Sequence, residues 1–130
     1  MANVKLNVAT SIYAGNAGWH LSTTLTETLL TVDSNKLVKI NTITCANVDG
    51  TNAANLNLYI DGLGSGASGV TTAGADSAVY LAKTISVPAD ATLVVLDSPI
   101  YLMEGDVLKG GASAASDLDL FISYEVFDDA

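Results

Sequence analysis

Apolar and polar residues alternate at period two through most of this chain, and no other feature constrains its fold as tightly. In DLDLFISYEVF, residues 117–127, Leu118, Leu120, Ile122, Tyr124 and Val126 fall on one side of an extended backbone. Asp119, Phe121, Ser123, Glu125 and Phe127 fall on the other. Successive side chains of a strand point to opposite faces, so the segment predicts a core face and a mixed outer face. VKLNVAT alternates through Val4, Leu6 and Val8, and NLNLYID through Leu56, Leu58 and Ile60 against Asn57 and Tyr59. KLVKINTITCANV and VYLAKTISV are rich in β-branched residues, and Pro88 ends the second by removing a ladder donor.

Turn signals separate these runs at 33–35 (DSN), 48–53 (VDGTNA), 88–90 (PAD), 97–99 (DSP), 104–106 (EGD) and 113–117 (SAASD). No stretch combines a 3.6-residue period with helix caps. TTLTETLLTV, residues 23–32, comes nearest, and its threonines favour a strand. The expectation is an all-β antiparallel β-sandwich, jelly-roll-like, with about eight strands. It forms one domain over residues 1–130, with residues 1–20 as an N-terminal arm. Residues 61–77, DGLGSGASGVTTAGADS, have little to bury and read as a long exposed loop.

Composition removes several classes of function. The chain carries a net charge of −9, with five lysines and no arginine. Phosphate backbones need clustered positive charge, so nucleic acid is not an expected partner, and neither is an anionic membrane surface. No apolar run approaches the roughly 20 residues of a membrane helix. MANVKLNVATS lacks the apolar centre of a secretory signal, so synthesis in a cytoplasm is expected. The single cysteine, Cys45, lies in an apolar strand-like run and reads as a small buried side chain.

The residues that could carry chemistry each have a plain alternative. Glu104 and Asp106 flank Gly105 between two strand-like runs, so they read as hydrated shoulders of a tight turn. A calcium site would need more oxygen ligands, and catalytic carboxylates would need neighbours that tune them. His20 is the only histidine and has no metal-ligand companions in sequence, which leaves a buried or interface histidine. GLGSGASG lacks the Lys-Ser/Thr of a phosphate-binding loop, and Ser65, Ser68 and Ser77 have no adjacent base. These readings argue against an enzyme and call for no cofactor and no metal. Trp19 is either a core plug or an interface anchor. Asp117, Asp119 and Glu125 share a strand face with Phe121 and Phe127. That face is either solvated or an interface whose exposed aromatics pack on a neighbouring subunit. Trp19, Tyr101, Phe121 and Phe127 are the candidate interface residues.

The C-terminal half, VYLAKTISVPADATLVVLDSPIYLMEGDVLKGGASAASDLDLFISYEVF (residues 79–127), resembles small virion structural proteins of tailed bacteriophages. TTLTETLLTVDSNKLVKINTITCANVDGTNA, residues 23–53, resembles the first hairpin of the same family and its NVDG turn. Together the two segments cover most of the chain. The resemblance implies a β-sandwich or jelly roll built into a virion that assembles in the host cytoplasm, and it brings no catalytic residues. It implies a capsid decoration or cement subunit, held by contacts to the major capsid protein or other virion proteins. A homotrimer or homodimer is expected with it. A tail, neck or fibre-associated structural protein is the first alternative. A carbohydrate-binding sandwich is the second, with Trp19, Tyr59 and Tyr101 as platforms and calcium held by Asp61 and Asp76.

Overall fold

The computed structural model describes residues 6, 9–62 and 78–128. The expected loop at 61–77 lies outside the described residues apart from Asp61 and Gly62, and the alternation of VKLNVAT lies largely outside them too. The described chain forms nine strands: β1 (Ser11–His20), β2 (Thr28–Thr31), β3 (Lys36–Asn47), β4 (Ala54–Asp61), β5 (Val79–Val87), β6 (Thr92–Leu96), β7 (Ile100–Leu102), β8 (Val107–Ala112) and β9 (Leu118–Asp128). A five-stranded sheet runs β1-β9-β3-β6, with β7 also paired to β3, and a four-stranded sheet runs β2-β8-β4-β5. All pairings are antiparallel.

The order has a simple cause. Early strands pair with late ones, β1 with β9, β2 with β8, β3 with β6 and β7, and β4 with β5. The chain is one long antiparallel ribbon rolled so that its two ends share a sheet. This is a jelly roll, and it confirms the all-β sandwich expected from the alternation. The single strand expected between the turns at 88–90 and 97–99, and the run after it, become β6 and β7, both seated on β3.

The core forms where the apolar faces of the two sheets meet. Leu118, Leu120 and Ile122 of β9 pack with Ile40, Ile43 and Cys45 of β3 and with Leu56, Leu58 and Ile60 of β4. On β3 the buried positions Val38 and Ile40 are followed by Ile43 and Cys45, a step of three where a regular strand needs two. A β-bulge at Asn41 absorbs the extra residue, because Ile40 pairs with Tyr124 and Thr42 with Ser123. Asn41 Nδ2 donates to Glu125 Oε1 at 3.2 Å.

Two expectations need correction. The proposed arm at 1–20 is not an arm over its second half, since Ser11–His20 are β1. SIYAGNAGWH alternates poorly because Ala, Gly and Asn fill its centre; its ten-residue pairing with β9 makes it a strand. TTLTETLLTV is a strand only at Thr28–Thr31. The chain before it crosses close above β8, where a Cβ on Gly111 would come within 2.7 Å of the Thr24 carbonyl oxygen. Only glycine allows that approach.

The buried side chain of Asn47 anchors the NVDG turn. Its Nδ2 donates to the carbonyls of Val87 (2.9 Å) and Asn52 (3.0 Å), and its Oδ1 accepts from Asp49 N–H (2.9 Å). Asp49 Oδ1 in turn accepts from the N–H groups of Thr51 and Asn52, and these bonds lower its pKa. Asn47→Ala strands two carbonyls and one N–H, so it should destabilise the domain by about 2–3 kcal/mol in urea unfolding. Asn47→Asp should do no better, because a carboxylate cannot donate to Val87 and Asn52.

Candidate interface on the outer face of the five-stranded sheet

The β9 register decides which side chains leave the core. Odd-numbered β9 residues point outward, and their cross-strand neighbours point with them. Phe121 lies opposite Gly18 on β1 and Thr44 on β3, and Thr44 lies opposite Val94 on β6. Glu125 lies opposite Ala14 and Lys39, and Lys39 opposite Tyr101 on β7. Phe121 is 45% exposed, Tyr101 48% and Val94 57%. At about 3.4 Å per residue and 4.8 Å per strand, Phe121 stands about 14 Å along the sheet from the Tyr101 row and about 10 Å across it from Val94. The three side chains span one broad surface.

Polar groups on this face pair across neighbouring strands. His20 Nδ1 lies 2.6 Å from Asp119 Oδ1 at one end of the β1–β9 ladder. Lys36 and Asp128, whose Nζ and Oδ1 lie 3.0 Å apart at the other end, have the parity of the inward residues Val38 and Ile122 and so stand on the opposite side of the sheet. Lys39 sits opposite Glu125 on the outer face. The outcome is a surface on which exposed apolar side chains stand among paired polar ones, on an acidic molecule.

A shallow cleft of about 310 Å³ opens at the His20 end, lined by Gly18, Trp19, His20, Asp119, Leu120 and Phe121. It brings together Trp19 and Phe121, two of the four residues singled out in the sequence. Trp19 is half-buried and packs against the core, while His20 is exposed rather than buried. Tyr101 shares the face at a distance. Phe127 is a correction: it has the outward parity of Phe121, yet it is only 8% exposed. It stands in register between Ile12 and the buried Leu37, so it is a packing residue of this end of the sheet and offers little surface to a partner.

Cys45, buried opposite Leu120, has its thiol pushed up to about 11 by burial and then by the charge of Asp119, so it stays protonated and unreactive at neutral pH. Of the suggested sugar platforms, Tyr59 is buried in the other sheet against Tyr80, with ring centroids 5.1 Å apart. Asp61 is held by Lys109 Nζ at 3.3 Å, and Asp76 lies outside the described residues.

The carboxylates at 104–106 also depart from expectation. Gly105 takes a φ of +88°, as a tight reversal requires. Asp106, however, is not a hydrated shoulder; it is 2% exposed. Its Oδ2 accepts from Met103 N–H at 2.8 Å, and its backbone N–H donates to the Met103 carbonyl at 3.0 Å, so the side chain closes the turn from inside. Its Oδ1 has no partner among the described residues. Burial raises its pKa, only partly offset by the Met103 hydrogen bond. The period-two pattern missed this residue because it sits in a turn, where alternation says nothing about burial.

Comparison with family models, with curated proteins and with solved structures finds no match to this chain.

The raised pKa of Asp106 sets a sign. A carboxyl that is harder to ionise when folded carries no penalty below its unfolded value near 3.9, and stability is lost as pH rises through the folded value. Asp106→Asn keeps the acceptor for Met103 and removes the buried charge. It should raise stability at neutral pH by about 1 kcal/mol. The difference between variant and parent in urea unfolding should shrink to near zero at pH values below about 4.

Proposed function

We propose that this protein is a structural subunit of a tailed-bacteriophage particle, a decoration or cement protein that binds the capsid exterior through the outer face of its five-stranded sheet. The observation that carries the reading is that face: Phe121, Tyr101 and Val94 stand exposed on it, with the paired His20 and Asp119 at one end, on a chain of net charge −9. Exposed aromatic and aliphatic side chains rimmed by polar groups are what a desolvating protein contact uses. The strand-and-turn pattern of residues 23–53 and 79–127, which resembles phage virion proteins, supports the same reading. Jelly rolls serve in viral capsids and also in lectins, so the fold agrees with this role without selecting it.

The mechanism is contact area repeated by symmetry. A standard interface buries about 1,600 Å² in total. Modest contacts multiplied over a shell resist internal pressure together, and an acidic exterior limits non-specific association. The major capsid protein is the expected partner.

Purified protein should add back to particles that lack it and raise the temperature at which they release DNA. Phe121→Asp combined with Tyr101→Asp should leave the circular dichroism spectrum unchanged. It should weaken binding by more than about 2 kcal/mol, roughly 30-fold, in a co-sedimentation assay. Hundreds of copies per particle support the capsid position, whereas a few dozen would move the protein to the tail or neck. Equal binding by the double variant would sink the assignment of the face.

A further inference from the structure

The two sheets leave four edges, and three of them are blunted. β5 shows two register shifts against β4, carries Lys83, and holds Thr84 at a φ of +53°, which a β-branched residue seldom adopts. β2 has four residues and a register shift. The edge beyond β3 is split between β6, five residues with a shift, and β7, three residues. Short strands, bulges and lysines are the devices that keep an edge from pairing with another chain. β1 has none of them. It runs ten residues in unbroken register with β9, without proline, lysine or carboxylate. Among the described residues no strand covers its other side.

The ladder shows which groups of β1 face outward. Leu21 N–H donates to the Leu118 carbonyl directly across the extended register. Hydrogen-bonded pairs alternate in an antiparallel ladder, so odd-numbered β1 residues bond to β9. The main-chain groups of Ile12, Ala14, Asn16, Gly18 and His20 then point away from the sheet. β9 agrees from its other side, where Val48 N–H donates to the Asp117 carbonyl and odd β9 residues serve β3.

We propose that β1 pairs with β1 of a second copy of this chain, antiparallel about a two-fold axis at Asn16, joining two five-stranded sheets into one. Two features select a second copy over another partner. Two chains of net charge −9 repel at most contacts, and β1 is a strand without Asp or Glu on which they can meet. The strand is also self-complementary about Asn16. This register sets Ala14 opposite Gly18 and Gly15 opposite Ala17, all small. It sets the exposed Tyr13 opposite Trp19 on the core-side face, an aromatic cross-strand pair. An axis at Gly15 would instead leave Trp19 opposite Ser11. The join supplies roughly ten main-chain hydrogen bonds, and it is isologous, so it closes at two copies. The pairing stands whether or not a virion is its setting.

Proline tests it with little disturbance of the fold. The Asn16 N–H faces the edge, so Asn16→Pro removes a donor that β9 does not use, whereas Ala17→Pro removes one that it does. Sedimentation equilibrium of the full chain should give twice the 13.3 kDa chain mass. Asn16→Pro should weaken self-association by about tenfold or more with an unchanged circular dichroism spectrum, and Ala17→Pro should unfold the chain. Amide hydrogen exchange of the unaltered protein gives a second reading that needs no variant. The amides of Ile12, Ala14, Asn16 and Gly18 should gain protection as protein concentration rises, while those of Tyr13, Gly15 and Ala17 stay protected throughout. A monomer at every concentration, a dimer with unchanged affinity in folded Asn16→Pro, or edge amides protected independently of concentration would each overturn the proposal.

Discussion

β9 is the constraint on which the rest of the molecule depends. It lies between β1 and β3, and both ladders need it. Every main-chain donor and acceptor along its length must find a partner on one side or the other, because an unpaired buried amide costs free energy. Its parity then dictates theirs. Leu118, Leu120 and Ile122 face inward, so Ile43 and Cys45 must as well, and the bulge at Asn41 is what keeps Val38 and Ile40 on the same side. These pairings close very long loops, since residue 11 meets residue 128. The sheet therefore forms only when the last strand arrives, and its order is non-local.

Two buried polar side chains show how the ends of this ribbon are tied. Asn47 meets all the groups it faces and holds the turn after β3 to the end of β5. Asp106 closes the turn between β7 and β8, and so joins the two sheets, yet one of its oxygens lacks a partner. One site is an anchor at neutral pH and the other stores a cost. The difference arises from the amide, which can both donate and accept, against a carboxylate, which when ionised can only accept.

The two sheets present different outsides. The outer side of the four-stranded sheet holds the Tyr59–Tyr80 pair, Lys83 over the Tyr80 ring and the Lys109–Asp61 ion pair, so its polar and aromatic groups engage one another. The five-stranded sheet offers exposed apolar side chains on its face and a long regular strand at its edge. Val79, Tyr80 and Ile85 on β5 of the four-stranded sheet are exposed as well, so the long regular edge is what sets the five-stranded sheet apart, and that edge is perpendicular to its face and can be used with it at once.

The fold class, most of the turns and the inward residues of β4 and β9 were legible in the sequence, because alternation is a local record of which face meets the core. Phe121 was legible as an outward residue for the same reason, whereas Trp19, read as either a core plug or an interface anchor, is half-buried against the core. Three things were not. The burial of Phe127 depends on Leu37 and Ile12, which are distant in sequence and adjacent only across three strands. The burial of Asp106 depends on how a turn packs. The strand at Ser11–His20 depends on β9, because its own glycines and alanines carry no period. Sequence alone determined that this chain is extended and two-sided, since side-chain direction in a strand follows from the backbone itself. Which strands lie beside one another, and hence which side chains share a face and which edge is open, was decided only in the tertiary structure, because hydrogen-bond pairing between strands is blind to their distance along the chain.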